Sequence, residues 1–238
     1  MSLPKIYDWE KIRAALKLLS EEFPAEFPTW VLIGGGACWF YRTSLQEAGD
    51  RDFCVPSVRV EDEIHWLSKD VDFMGLTEAE ATALLQAPFK PETHTISYRG
   101  LEVDFLEEGF RLTMDVAAAN SRDVRTPEFR FAVIGPAILY AEKCALLANK
   151  SRPQDVLHRA LLAEFLKFEF CSDLETPATL DPHDWLGGAR TVKTADHDFF
   201  TRDPKLIARL QRDICSLTSH EHRSLKHWAK HHLPGYTE

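Results

Sequence analysis

The spacing of apolar side chains along the chain first predicts a helix, then a strand, then a second helix. Apolar residues recur with a helical period over residues 8–23, and the short apolar run at 31–33 is typical of a buried strand. Three glycines follow, and residues 37–41 again favour a helix. Residues 43–65 have no regular pattern and contain two breakers, so we expect an irregular segment there.

The next part of the chain predicts strands around one helix. The stretches "DVDFMG" and "TISYRGLEVDFLE" are rich in strand-forming residues, and "TEAEATALLQ" between them predicts a helix with Thr77 as its N-cap. Residues 129–134 predict another strand. From Pro136 onward the pattern becomes helical, with two helices divided at Pro153 and a final helical run over 204–231. We therefore predict an α+β domain over residues 1–135 and a helical domain over 136–238.

Composition narrows the class of protein. The chain has 238 residues, 45% of them hydrophobic, and a net charge of −9, which argues against a protein that coats nucleic acid nonspecifically. Five cysteines without a CxxC pair indicate neither a disulfide framework nor a zinc site. The sequence shows neither an apolar run long enough to span a membrane nor a signal peptide, so we expect a cytoplasmic protein with no membrane partner.

The C-terminal stretch differs from the rest in charge. Residues 205–238 carry six Lys or Arg against three Asp or Glu, and they hold five of the ten histidines. This surplus is either a solvated helix face or a patch for an anionic partner such as RNA.

The alternation around Asp70 and Asp72 points to a metal site. On a strand, residues two apart project from the same face, so both carboxylates project together while Val71 and Phe73 face the core. Adjacent carboxylates repel each other unless a positive charge lies between them, and hard oxygen ligands suit Mg²⁺ or Mn²⁺.

The same alternation recurs in "LEVDFLE", where Asp104 and Glu102 share a face. If the two strands are neighbours, Asp70, Asp72 and Asp104 converge, as a two-metal site for phosphoryl or nucleotidyl transfer requires. Glu102 is expected beside the site or facing solvent.

The run Gly34, Gly35 and Gly36 has a matching interpretation. A strand, a glycine turn and a helix start expose backbone N–H groups at a positive helix end, where nucleotide phosphates can approach closely. The run is neither a Walker loop nor a GxGxxG motif. We therefore predict that these three glycines cradle the phosphates of an NTP.

Together, "LIGGGACWF", "SKDVDFMG" and "LEVDFLE" resemble the nucleotidyltransferase fold of the DNA polymerase beta superfamily, a mixed β-sheet with flanking helices. The continuation "VIGPAILYAEKCALLANKSRPQDVLHRALL" is similar to the AbiEii-type branch, whose "K…R…D" order matches Lys143, Arg152 and Asp155. The resemblance implies that Lys143 and Arg152 bind the nucleotide, and we assign Lys69 to the same role.

The activity implied by the resemblance is metal-dependent transfer of a nucleoside monophosphate from an NTP to a hydroxyl of RNA, protein or a small molecule. Some members of that branch are toxins of toxin–antitoxin pairs, so an antitoxin protein is a candidate partner.

Several alternatives stay open. "AGDRDFCV" offers a rival pair, Asp50 and Asp52, nearer to the glycines but with Arg51 where the preferred pair has an apolar residue. Preferring Asp70 and Asp72 makes residues 43–67 an insertion. The aromatic run 39–41 is expected in the core, with nucleobase stacking as its alternative. Two further function classes are a non-catalytic nucleotide-binding regulatory module and an enzyme that modifies an antibiotic or metabolite.

Overall fold

One mixed sheet of seven strands organises residues 8–47, 68–149 and 152–174, which are the residues described by the computed structural model. The strand order is β3-β4-β5-β2-β1-β7-β6. The pairs β2–β5 and β1–β7 are parallel, and the other neighbours are antiparallel. The strands are β1 Val31–Leu32, β2 Val71–Met74, β3 Phe89–Lys90, β4 Thr95–Tyr98, β5 Leu101–Phe105, β6 Ser121–Arg125 and β7 Arg130–Ile134.

Six α-helices accompany these strands in the same described residues, together with a 3₁₀ turn at Phe27–Thr29. The predicted α+β class, with a mixed sheet and flanking helices, is confirmed. None of the described helices combines the length and the apolar character needed to cross a bilayer. The helices are α1 Trp9–Glu22, α2 Gly34–Glu47, α3 Glu78–Leu85, α4 Met114–Ala119, α5 Pro136–Asn149 and α6 Pro153–Leu174.

Helix starts follow from capping residues. The side chain of Asp8 accepts a hydrogen bond from the backbone N–H of Lys11 and begins α1. Thr77 caps α3 as predicted, and Glu80 returns the bond to the backbone N–H of Thr77, which completes a capping box.

Helix α2 departs from the prediction. It begins at Gly34 instead of residue 37, and it continues to Glu47, so residues 43–47 are helical where an irregular segment was expected. Residues 48–67, with Asp50 and Asp52, lie outside the described residues, as does 175–238. The insertion and the domain boundary at 135/136 stay predictions.

The core is aromatic at its centre. Trp30, beside β1, lies edge-on to Phe73 of β2 and Phe105 of β5, with ring centroids 5.8 and 5.0 Å apart. Buried side chains of α5 and α6 belong to the same cluster, among them Tyr140 and Leu161. The apolar neighbours of the candidate carboxylates therefore hold β2 and β5 in place.

The core assignment of residues 39–41 is confirmed. Tyr41 is fully buried and donates a hydrogen bond to the carbonyl of Ile134, at 2.5 Å. Trp39 and Phe40 are partly buried and pack against the core.

Candidate active site

The parallel pairing of β2 and β5 sets Asp72 directly beside Asp104. Residues opposite each other in neighbouring strands project from the same face, so the two carboxylates lie side by side. The flanking positions of the same register pair Val71 with Val103, and both valines are fully buried. Alternation in both strands therefore places the apolar neighbours in the core and the two carboxylates together on the opposite face.

Asp70 completes a carboxylate cluster, by which we mean Asp70, Asp72 and Asp104. It lies one residue before β2 instead of within it, which departs from the predicted strand position. One carboxylate oxygen of each residue lies within 4.8 Å of those of the other two. Asp104 is buried, and Asp70 and Asp72 are partly buried.

The carboxylate cluster concentrates negative charge away from water. Burial raises the pKa of Asp72 well above its ordinary value, and the charges of Asp70 and Asp104 raise it further. Burial also raises the pKa of Asp70, and it raises the pKa of Asp104 to about 6. His94, whose Nδ1 lies 3.4 Å from Asp104 Oδ1, partly opposes the shift of Asp104. Each shift shows that this site favours an added positive charge, whether a proton or a metal ion.

The donor set fits a hard divalent cation. Three carboxylates supply only oxygen ligands, which Mg²⁺ and Mn²⁺ prefer and which leave coordination positions for water and phosphate. Among the residues that the structure describes, the carboxylate cluster is the group of Asp, Glu, His or Cys side chains that lie close enough together to hold a metal ion.

Two of the three glycines lie beside the carboxylate cluster, and a side chain at each would clash with a different neighbour. Gly34 has φ +61°, and a Cβ there would lie 1.9 Å from Asp72 Oδ2. A Cβ on Gly35 would lie 2.9 Å from the Oγ of Ser68, and its backbone N–H points at Asp72 Oδ2 over 3.4 Å. A side chain at either position would therefore collide with a residue of the cleft, Asp72 at Gly34 and Ser68 at Gly35.

Gly36 is placed differently. It is buried, and a Cβ there would meet the core side chains of Leu32, at 3.0 Å, and Ile12, at 3.8 Å. The structure therefore places Gly34 beside Asp72 and Gly35 beside Ser68, whereas Gly36 packs α2 onto the core.

A second charged group lines the same cleft, and we call it the ion cluster: Lys143, Arg152 and Asp155. Asp155 is fully buried and accepts hydrogen bonds from Lys143 Nζ at 2.8 Å and from Arg152 Nε at 2.5 Å. Burial by itself would raise the pKa of Asp155, but the Lys143 charge and the bonds from both cations hold that pKa below its ordinary value. The structure thus brings together the three "K…R…D" positions.

Both clusters line one cleft of about 710 Å³. Lys69 is exposed on the cleft wall, and its charge acts to lower the pKa of the neighbouring Asp70. Every predicted site residue except Gly36 lines this cleft.

Glu102 does not join the carboxylate cluster. Its carboxylate accepts hydrogen bonds from Thr95 Oγ1, at 2.9 Å, and from Ser97 Oγ, at 2.5 Å, and it pairs with Lys90 at 3.3 Å. The expectation that Glu102 lies beside the site is consistent with this placement.

Comparisons with known proteins return one weak structural likeness. No protein-family model and no curated protein matches the chain. The chain is similar to a solved structure described as an antigenic nucleotidyltransferase-like protein from Paracoccidioides brasiliensis, with 12% identity and a TM-score of 0.45 over 87% of this chain and 95% of that one. Neither a fold family nor an activity follows from a likeness at this level.

Three residues of the cleft escaped the sequence interpretation. His158 of α6 is buried beside the ion cluster, and burial, then the charges of Lys143 and Arg152, lower its pKa well below the ordinary value, so it is neutral at pH 7. Glu142 and Phe110 line the same cleft from α5 and from the loop before α4. His158 lies one helical turn after Asp155, and that spacing is the signal that could have found it.

Proposed function

We propose that the protein is a metal-dependent nucleotidyltransferase that moves a nucleoside monophosphate from an NTP to a hydroxyl acceptor. The observation that carries this proposal is the in-register pair Asp72 and Asp104, joined by Asp70 and facing the glycine start of α2. A cluster of three carboxylates next to a helix start without side chains can bind metal ions and triphosphate side by side.

Different residues of the cleft have different roles in the proposed reaction. Divalent ions bound by the carboxylate cluster would neutralise phosphate charge and polarise the phosphorus–oxygen bonds of the NTP. In this proposal the glycine start of α2 lies beside the triphosphate. The negative charge of the triphosphate is balanced by Lys69 and by Lys143 and Arg152, whose two charges exceed the one of Asp155. The acceptor oxygen bonds to the α-phosphorus, the bond from that phosphorus to the β-phosphate bridging oxygen breaks, and pyrophosphate leaves. Asp104, which lies beside Asp72 in the cluster, takes the proton of the acceptor hydroxyl.

The AbiEii-type branch is part of the same proposal, and the spatial convergence of Lys143, Arg152 and Asp155 supports it. A toxin role is proposed with that branch. If the protein is a toxin, its expression should stop the growth of a bacterial host, and Asp72→Asn should abolish that effect. Unchanged growth at equal expression contradicts the toxin role without contradicting transferase activity.

The activity test uses each NTP labelled at the α-phosphate, with Mg²⁺ or Mn²⁺, against the RNA, protein and small-molecule fractions of a lysate. We expect label in one fraction with the wild-type protein and none with Asp72→Asn, whose folding is checked by circular dichroism. Absence of label from every fraction with all four nucleotides contradicts the proposal.

If the acceptor is RNA, the C-terminal basic surplus is the expected contact. Changing Arg223, Lys226 and Lys230 to Glu should then weaken transfer to RNA, and the wild-type dependence on salt should approach a log–log slope of about −0.7 for each phosphate contacted. Transfer that survives the charge reversal at every ionic strength favours a protein or small-molecule acceptor.

A further inference from the structure

Phe110 is a large hydrophobic side chain that the fold leaves in solvent. Among the described residues, the exposed large hydrophobic side chains are Phe110, which is 56% exposed, and Val156, which is 45% exposed. Phe110 lines the cleft that holds the carboxylate cluster, and Val156 does not. An aromatic ring exposed in this cleft gives up the free energy that burial would supply, and a ligand that covers the ring would recover that free energy.

The backbone of the loop that carries Phe110 is hydrogen-bonded to a buried carboxylate. Glu142 of α5 is 6% exposed, and its oxygens accept hydrogen bonds from the backbone N–H of Phe110 at 3.1 Å and of Arg111 at 2.6 Å. Bonds from N–H groups to a carboxylate are stronger than those between neutral groups. A Cβ on Gly109 would lie 2.8 Å from Glu142 Oε1, so glycine permits the close approach of loop and carboxylate.

The same loop is also closed on itself. The N–H of Gly109 donates to the carbonyl of Leu112 at 2.7 Å, and Glu108 pairs with Thr113 in a β-bridge. These bonds, together with those to Glu142, restrain the backbone of the loop, while the Phe110 ring stays exposed. A ring on a fixed backbone loses little further entropy when a flat ligand covers it.

The lining of the cleft is chemically mixed. The carboxylate cluster and the ion cluster supply charge, whereas Phe110 and other apolar side chains supply nonpolar surface: Met74, Leu106, Leu112, Leu139 and Leu146. A nucleotide is mixed in the same way, with a charged triphosphate and a flat, weakly polar base.

We propose that Phe110 is the platform on which the base of the bound NTP stacks, and that Glu142 is the positioning residue that holds this platform. The inference rests on the proposed function, because it places the triphosphate of the same NTP at the carboxylate cluster. Stacking on an aromatic ring is tolerant of base identity because every base has a π-face, so Phe110 contributes affinity for all four NTPs.

The test separates the base from the phosphates by comparing NTP with inorganic tripolyphosphate, both with Mg²⁺, in titration calorimetry. For Phe110→Ala we expect NTP binding to weaken on the order of tenfold, within the range that alanine substitution of stacking residues produces. Tripolyphosphate binding should stay unchanged, because it has no base. Phe110→Trp should bind NTP at least as tightly as wild type. Val156→Ala, the matched control on an exposed apolar residue outside the cleft, should leave both affinities unchanged.

Glu142 is tested through Phe110. Glu142→Gln keeps one acceptor for the loop but turns an NH₂ toward the second backbone N–H, so NTP binding should weaken while tripolyphosphate binding stays unchanged. In the double variant with Phe110→Ala the losses should not add, because Glu142 acts only by holding the ring. Additive losses overturn the positioning role.

Three results overturn the stacking inference while leaving the proposed function in place. They are unchanged NTP affinity in Phe110→Ala, equal weakening of NTP and tripolyphosphate in that variant, and a change confined to the KM of the acceptor, which would assign the ring to the acceptor instead. If wild-type protein binds neither ligand with Mg²⁺ or Mn²⁺, the proposed function fails and the inference fails with it.

Discussion

Both charged clusters of the cleft contain aspartates, and the pKa values of those aspartates are shifted in opposite directions. In the ion cluster, the fully buried Asp155 has a pKa below its ordinary value, because Lys143 and Arg152 surround it with positive charge. In the carboxylate cluster, Asp72 has a pKa well above its ordinary value, because burial and two further carboxylates oppose its charge. The first cluster holds two positive charges against one negative charge, so its aspartate needs no added cation. The second is balanced only when something positive is added, and such imbalance is what a cation site requires.

The largest effect on stability should come from removing the one negative charge of the ion cluster. Asp155→Asn leaves Lys143 buried without a counter-charge, which costs about 3–5 kcal/mol of unfolding free energy when one partner of a buried pair is removed. Urea unfolding measures this loss. The matched control is Asp123→Asn, since Asp123 pairs with Arg130 at 2.9 Å on the surface and should cost about 1 kcal/mol or less. Similar losses in both variants would show that the ion cluster is not a special structural unit.

The next effect is on activity and not on stability. Asp72→Asn should lower kcat by about 10²–10³, the usual cost of removing one electrostatic group from a catalytic site. Its melting temperature without metal should equal or exceed that of wild type, because one repelling charge is gone. Steady-state kinetics and thermal melts on the same sample give both values.

Asp50→Asn and Asp52→Asn are the controls for that experiment, and we expect near wild-type activity from each. If they are inactive while the Asp70 and Asp72 variants work, the rival pair binds the metal and the preferred pair is wrong.

A smaller effect on stability should come from adding Mg²⁺, which supplies positive charge to the carboxylate cluster, together with NTP. Mg²⁺ with NTP should raise the unfolding free energy of the wild-type protein by about 2.7 kcal/mol at a hundredfold excess over Kd, since the ligand binds only the folded state. Asp72→Asn should lose most of this gain, and Asp123→Asn should keep it. Melting curves with each nucleotide provide the measurement, and the absence of a shift with all four would contradict nucleotide binding at the glycine start of α2.

The smallest effect is a dependence on pH. The folded-state pKa of Asp104 is raised to about 6 from an ordinary value of 3.8, so the folded state binds the proton more tightly than the unfolded state. The stability from that proton is fully present below pH 3.8 and is lost as the pH rises through 6. Without metal, wild-type protein should therefore gain about 1 kcal/mol relative to Asp104→Asn between pH 7 and pH 5. Parallel pH profiles for the two proteins would show that the carboxylate cluster is not strained by its charge.

Much of the fold and the convergence of Asp70, Asp72 and Asp104 could be predicted from local pattern. Alternation on each strand determines which face a carboxylate occupies, and apolar neighbours determine which face is buried. Strand β6 could not be found this way, because "SRDVR" has three charged residues in five and no apolar alternation. Its pairing with β7 along the full length supplies the order that its own sequence lacks.

The rest of the cleft depends on contacts between distant parts of the chain. The bond between Phe110 and Glu142 joins residues 32 apart, and neither side chain belongs to a local motif that predicts the other. The glycine run has a similar limit: three identical residues carry no signal that separates Gly34 and Gly35, beside the carboxylates, from Gly36, against Leu32. Tertiary packing makes that distinction.

The two end strands of the sheet bear on self-association. Exposed strand edges invite other chains to add to the sheet, and proteins discourage this with short edge strands and with charged residues. Here β3 is only two residues long, and β6 carries Arg122, Asp123 and Arg125. In the part of the chain that the structure describes, both ends of the sheet are therefore poor templates for aggregation.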